Sequence, residues 1–166
     1  MKTSEAAPRY SSIRAEYVNP FLTSAAHVFR TMLNCELRRG TPYLKRDADT
    51  DLEISGIIGL SGEAVGAVVL SMARSVALEA TAAMLGEMPP DLDEDVVDAV
   101  GELTNMIAGN AKAKLEELRV SISLPSVIIG LNHSVSFPSG ATPIGIPLTS
   151  DWGNLCVEVG LCRQEG

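Results

Sequence analysis

Along residues 91–118, DLDEDVVDAVGELTNMIAGNAKAKLEEL, apolar side chains return every three or four positions. At roughly 100° per residue, Val96, Val100, Leu103, Ile107, Ala111, Leu115 and Leu118 fall on one stripe, which predicts a long amphipathic helix with that stripe in the core. The opposite side carries Asp98, Glu102, Asn105, Gly109 and Glu116, with Gly101 and Lys112 at its edge. Each glycine inside such a helix costs about 1 kcal/mol relative to alanine, a loss that a closely approaching partner would offset. Asp91, Asp93, Glu94 and Asp95 crowd the first turn, where the helix dipole favours negative charge. That run reads as helix stabilisation and not as a metal site.

The same patterning predicts the other elements. Asn19-Pro20 marks a helix start, with Asn19 as cap, and Phe21, Ala25, Val28, Phe29 and Met32 mark its buried face to about Asn34. Its outward positions are Thr23, Ser24, Ala26 and His27. Residues 52–72, LEISGIIGLSGEAVGAVVLSM, read as a hairpin turning at Ser61-Gly62-Glu63, and Gly56, Gly59 and Gly66 inside it suggest tight packing. Ser75 is expected to cap a short helix over 76–85, with Val76, Ala80, Ala83 and Met84 facing inward and Gly86 closing it. Beyond Leu118 the period shortens to about two, giving strands near 120–129, 133–137, 142–149 and 154–161. Pro143 and Pro147 place their strand at an edge or interrupt it. The expected class is α+β, a mainly antiparallel sheet with packed helices. Polar residues 1–12 read as a mobile leader or a cloning remnant, and 13–166 as a single domain.

Charge and composition narrow the function classes. A net charge of −8 argues against nucleic acid or an anionic membrane surface as the main partner and suits a basic patch on a protein. No apolar run reaches the roughly eighteen residues of a membrane span, and the N-terminus lacks the apolar core of a signal peptide, so a cytoplasmic setting is expected. Cys35, Cys156 and Cys162 lack C-x-x-C spacing and read as small buried residues in a reducing compartment. His27 and His133 stand far apart in sequence with no accompanying carboxylate cluster, which leaves no metal site to propose within this chain. G-x-S-x-G, P-loop and G-x-G-x-x-G signatures are absent, so an enzyme built on this chain lacks an obvious nucleophile.

Glu102 and Asn105, three apart, stack one turn above each other and form a two-pronged polar face. A Glu and an Asn at this spacing are common by chance, and spacing alone favours a solubilising charge beside a neutral exposed residue. The run E-L-T-N-M-I-A-G-N-A-K, Glu102 to Lys112, resembles the motif helix of the CheC/CheX/FliY phosphatases of bacterial chemotaxis, and the single-motif arrangement is most similar to CheX. E-Y-V-N-P-F, 16–21, is a second and weaker match, and the likeness runs from about Glu16 to Leu161. Double-motif relatives carry a second Glu-x-x-Asn on their first helix. Here Thr23, Ser24, Ala26 and His27 occupy the outward positions, so one active face is expected.

The resemblance implies hydrolysis of the aspartyl phosphate of a CheY-like receiver domain. Asn105 would orient the attacking water and Glu102 would pair with a basic residue of the regulator, while Asp98, Gly101, Gly109 and Lys112 would surround the docked partner. Mg²⁺ would come with the phosphorylated partner, no cofactor would be bound by this chain, and a homodimer through exposed strand edges is expected. Two alternatives stand beside this: a non-catalytic scaffold of the same fold in a signalling or motor-switch complex, and a structural domain whose polar helix merely meets water.

Overall fold

In the computed structural model, residues 9–12, 17–44 and 52–165 are described. Their elements in chain order are β1 (Arg9–Ser12), α1 (Asn19–Leu33), β2 (Arg38–Arg39), β3 (Tyr43–Leu44), β4 (Ile54–Ser61), β5 (Ala64–Met72), α2 (Arg74–Leu85) and α3 (Glu94–Ala113). A 3₁₀ turn at Glu116–Leu118 leads to β6 (Ser121–Ile122), β7 (Ser126–Ile129), β8 (Ile144–Ser150) and β9 (Gly153–Glu165). The strands form one antiparallel sheet in the order β2-β8-β9-β5-β4-β6, with β1 added to β9, β3 to β8 and β7 to β4. The expected α+β class is what the chain adopts.

The β4–β5 hairpin is the centre of the sheet. It turns at Ser61-Gly62-Glu63 as its pattern predicts, and Gly62 takes φ +128°, a conformation that disfavours any side chain. Register puts Ile54, Gly56, Ile58 and Leu60 on one face with Met72, Leu70 and Val68 of β5 and Leu155, Val157 and Val159 of β9. This is the face the helices cover, and its apolar residues are buried. Gly66 leaves no room for a Cβ because the carbonyl of Gly160 occupies that place, so the tight-packing reading of the hairpin glycines holds there.

The other face is covered by the chain itself. Tyr43 lies over Gly145, and its hydroxyl stands 3.2 Å from Cys156 Sγ. The connection from Gly130 to Pro143 crosses the sheet, with the Phe137 ring 2.5 Å from the position a Cβ on Gly160 would take. His133 anchors this crossing: its Nδ1 is 2.5 Å from Gly130 O, its Nε2 is 2.6 Å from Ser55 Oγ, and Ser55 Oγ is 2.7 Å from Ser71 Oγ. Residues 133–137, expected as a strand, are therefore irregular. Side chains on the sheet face take the place of a ladder partner.

Several boundaries differ from expectation for local reasons. α3 runs 94–113, not 91–118: Asp93 is its cap, and after Ala113 the chain tightens to i→i+3 bonds, with Leu115 N–H donating to Lys112 O at 2.9 Å. Leu115 and Leu118 remain buried because residues three apart share one side of a 3₁₀ turn. In α1 the cap is Val18, already helical, so Asn19 sits inside the helix. Ser24, expected outward, is buried, its hydroxyl without a partner, and Met32, expected inward, is exposed while Leu33 is buried in its place. In α2 the cap is Ala73; Ser75 instead donates to Trp152 O at 2.6 Å, and Ala77 and Thr81 are buried while Ala83 is exposed. Residues 9–12, expected in a leader, pair with β9 from Arg9↔Glu165 to Ser12↔Cys162. The rest of 1–16, including Glu16 of the weaker motif, lies outside the described residues.

Candidate functional site

The stripe Val96, Val100, Leu103, Ile107 and Ala111 is buried, which fixes the face that α3 turns outward. Burying each of the larger side chains stabilises by about 1.5–3 kcal/mol, enough to outweigh the two helix glycines. On the outward side Asp98, Glu102 and Lys112 are exposed and Asn105 and Gly109 half-buried. Glu102 and Asn105 are neighbours there, with Cβ atoms ~5–6 Å apart at such spacing.

Among the described residues, the side chains of Asp98, Glu102, Asn105 and Lys112 form no hydrogen bond or ion pair. The acidic run at the helix start behaves differently. Arg74 bonds both Asp91 and Glu53, and Asp91 Oδ1 also accepts from Leu92 N–H at 2.7 Å. The Leu92 amide and the Arg74 guanidinium hold the Asp91 carboxyl below the usual carboxylate range. Asp93 Oδ1 accepts from Val96 N–H at 3.2 Å. These carboxylates fasten the start of α3, as capping and dipole arguments expect. Among the described residues no His, Cys, Asp or Glu side chains gather in a group of three or more that could hold a metal ion.

Two contacts set how α3 lies on the sheet, and neither was singled out from sequence. Thr104, between Glu102 and Asn105 in the motif, is buried and donates to Val100 O at 2.7 Å. It sits against Gly56 of β4, where a Cβ would collide with its hydroxyl and stand 2.9 Å from its Cβ. Gly101 is covered by the returning chain: a Cβ there would lie 3.6 Å from Pro125 and 3.7 Å from Val127. Gly101 was expected to offer a surface to a partner. It is buried instead, because the segment into β7 already occupies that side of the helix. Gly109 has nothing within 4 Å of a would-be Cβ and stays open.

The remaining candidates lie elsewhere. His133 faces the far side of the sheet, His27 is exposed on α1, and the three cysteines are buried and free. At the middle of the outward face of α3, Glu102 and Asn105 offer a carboxylate and a carboxamide side by side, both unengaged, with the Asp98 carboxylate one turn before them. A carboxylate binds a cationic group, and a carboxamide orients water but is no useful base. Such a pair suits a reaction whose reactive groups sit in another molecule.

The model of the family Chemotaxis phosphatase CheX matches residues 54–149. The CheY-P phosphatase CheX of Thermotoga maritima is 34% identical over 119 residues, which span 70% of this chain and 77% of that protein. The chemotaxis protein CheX of Vibrio vulnificus is 37% identical and superposes with a TM-score of 0.83 over 89% of this chain and 99% of that one. In the CheX-CheY-BeF3-Mg²⁺ complex from Borrelia burgdorferi, the matching chain is 29% identical, with a TM-score of 0.76 over 89% of this chain and 99% of its own. The helix that carries Glu102 and Asn105 lies wholly within the matched segment, and on these likenesses the chain belongs to the CheX family of chemotaxis phosphatases.

Proposed function

We propose that this protein hydrolyses the aspartyl phosphate of a CheY-like receiver domain by inserting Glu102 and Asn105 of α3 into the receiver's active site. The observation that carries this reading is the unengaged Glu102–Asn105 pair on the outward face of a helix whose opposite face is buried in the core. Family membership supports it, as does the relative captured with CheY, BeF3 and Mg²⁺.

Asn105 holds a water in line with the phosphorus, and Glu102 binds a cationic side chain beside it. Phosphoryl hydrolysis asks mainly for positioning and charge stabilisation, so a carboxamide suffices where a base is not required. Positioning of this kind can lower a barrier by several kcal/mol. Mg²⁺ neutralises charge on the phosphoryl group and belongs to the receiver. Asp91 and Asp93 of this chain are engaged in the helix start and do not fit a metal site.

Receiver domains are cytoplasmic, and three free buried thiols suit the reducing compartment. Among the described residues no helix is long and apolar enough to cross a membrane. The test is to mix the protein with a panel of phosphorylated receiver domains and time phosphate loss. Accelerated loss from at least one is expected. Binding without acceleration would replace the phosphatase by a scaffold of the same fold.

A further inference from the structure

The outward face of α3 continues beyond Asn105. One turn on, Gly109 borders a cavity of about 370 Å³ with Leu115 and Val120 in its lining and Lys112, Glu116 and Arg119 around it. Leu115 and Val120 are buried, so the floor is apolar. Arg119 stands 3.8 Å from Glu63, whereas Lys112 has no ion pair among the described residues and brings free positive charge to a chain of net −8.

Gly109 is the telling residue. A glycine inside a helix costs about 1 kcal/mol relative to alanine. In the helix, Gly101 is covered at ordinary van der Waals distance by Pro125 and Val127, and so offers no free surface. At Gly109 no atom of the described residues lies within 4 Å of a would-be Cβ, and Gly109 is itself part of the lining of the cavity.

We infer that this cleft receives an apolar side chain of the receiver domain docked on Glu102 and Asn105, with a carboxylate of the same domain against Lys112. The inference rests on the phosphatase reading. Two inserted polar groups do not by themselves make a specific interface, which buries roughly 800 Å² per partner around a desolvated anchor. Along the helix axis Gly109 and Lys112 lie about 6 and 10 Å from Asn105, well within the ~30 Å width of a small domain seated there.

Charge complementarity names the occupant's chemistry. The face runs from acidic Asp98 and Glu102, through neutral Asn105 and Gly109, to basic Lys112, with Glu116 and the Glu63-paired Arg119 at the far side of the cavity. A receiver that presents its basic group to Glu102 meets Lys112 favourably only with an acidic group at that distance. Turned end for end, it meets like charges at both ends. The cleft and its lysine therefore set the direction of docking.

The experiment uses a receiver that the parent dephosphorylates, held in its activated form with beryllofluoride and Mg²⁺. Affinity is read by fluorescence anisotropy, and turnover is read in parallel on the phosphorylated form. Gly109→Leu fills the cleft with a better helix former, so Tm should hold or rise while Kd and KM rise about tenfold or more and kcat changes less. Lys112→Glu should also weaken binding several-fold, and less so at high salt. Asn105→Ala should show the reverse split, with kcat lost and Kd kept. Parent-like Kd and KM in both cleft variants, with kcat lost in Asn105→Ala, would overturn the cleft and leave the phosphatase reading standing. A parent that binds and dephosphorylates no receiver would overturn both. If Gly109→Leu melts early, Lys112→Glu decides the question alone.

Discussion

Thr104 occupies the gap that Gly56 leaves on β4, and this contact sits directly between the two motif residues in sequence. The buried threonine bonds back to Val100 O, so it fills the gap without an orphaned hydroxyl. With Thr104 turned into the sheet, Glu102 and Asn105 on either side of it are turned out.

Gly56→Ala should therefore act on the motif helix from the sheet. The added methyl collides with Thr104, and overpacking of this kind costs about 1–3 kcal/mol. For a chain of this size that lowers Tm by roughly 2–4 °C per kcal/mol, measurable by calorimetry. Unchanged stability would mean that α3 shifts freely, and the contact would not set its position.

The motif residues divide the work. Asn105→Ala should abolish accelerated dephosphorylation while largely keeping receiver binding, because a water-positioning group is lost and a docking charge is not. Glu102→Ala should weaken binding and turnover together. Neither should lower Tm appreciably, since both side chains are unengaged in the free protein. A fully active Asn105→Ala enzyme would refute the catalytic assignment.

Metal removal should stop the reaction without touching this chain. EDTA is expected to halt phosphate release from the mixed proteins, and calorimetric titration of the isolated protein with Mg²⁺ should show no specific binding. Tight stoichiometric binding by this chain alone would shift the reading to an independent metallohydrolase.

A homodimer through a strand edge is expected. Among the described residues β7 pairs with β4 alone, and it carries the exposed Ile128 and Ile129 beside exposed Leu124 and Leu131. An open apolar edge invites a second strand. Sedimentation at micromolar concentration should give twice the chain mass, and a clean monomer would end the idea.

The start of α3 has a titration signature. Asp91 titrates low, so its contribution to stability is present above its unfolded pKa and is lost as pH falls through the depressed folded value. Arg74→Met should raise the Asp91 pKa part of the way back, because the Leu92 amide remains. NMR titration of the carboxyl carbon would show it, and an unmoved pKa would exclude Arg74 as a cause.

Much of the site was legible in the chain because helix periodicity is a local property. Val96, Val100, Leu103 and Ile107 announce the buried side of α3, and geometry then assigns Glu102 and Asn105 to the other. The hairpin at 54–72 was equally plain, since period-two patterning and Ser61-Gly62-Glu63 need no distant partner to be read. What only the tertiary structure decided were the contacts between elements remote in sequence. Nothing local says that Thr104 meets Gly56, that Pro125 returns to bury Gly101, or that His133 reaches Ser55 and turns 133–137 from a strand into an anchored crossing. The ends of α3 followed the same division. Asp91 was drawn away to Arg74, and Leu115 and Leu118 stayed buried on a tighter turn, because packing and capping partners, not periodicity, determine where a helix stops.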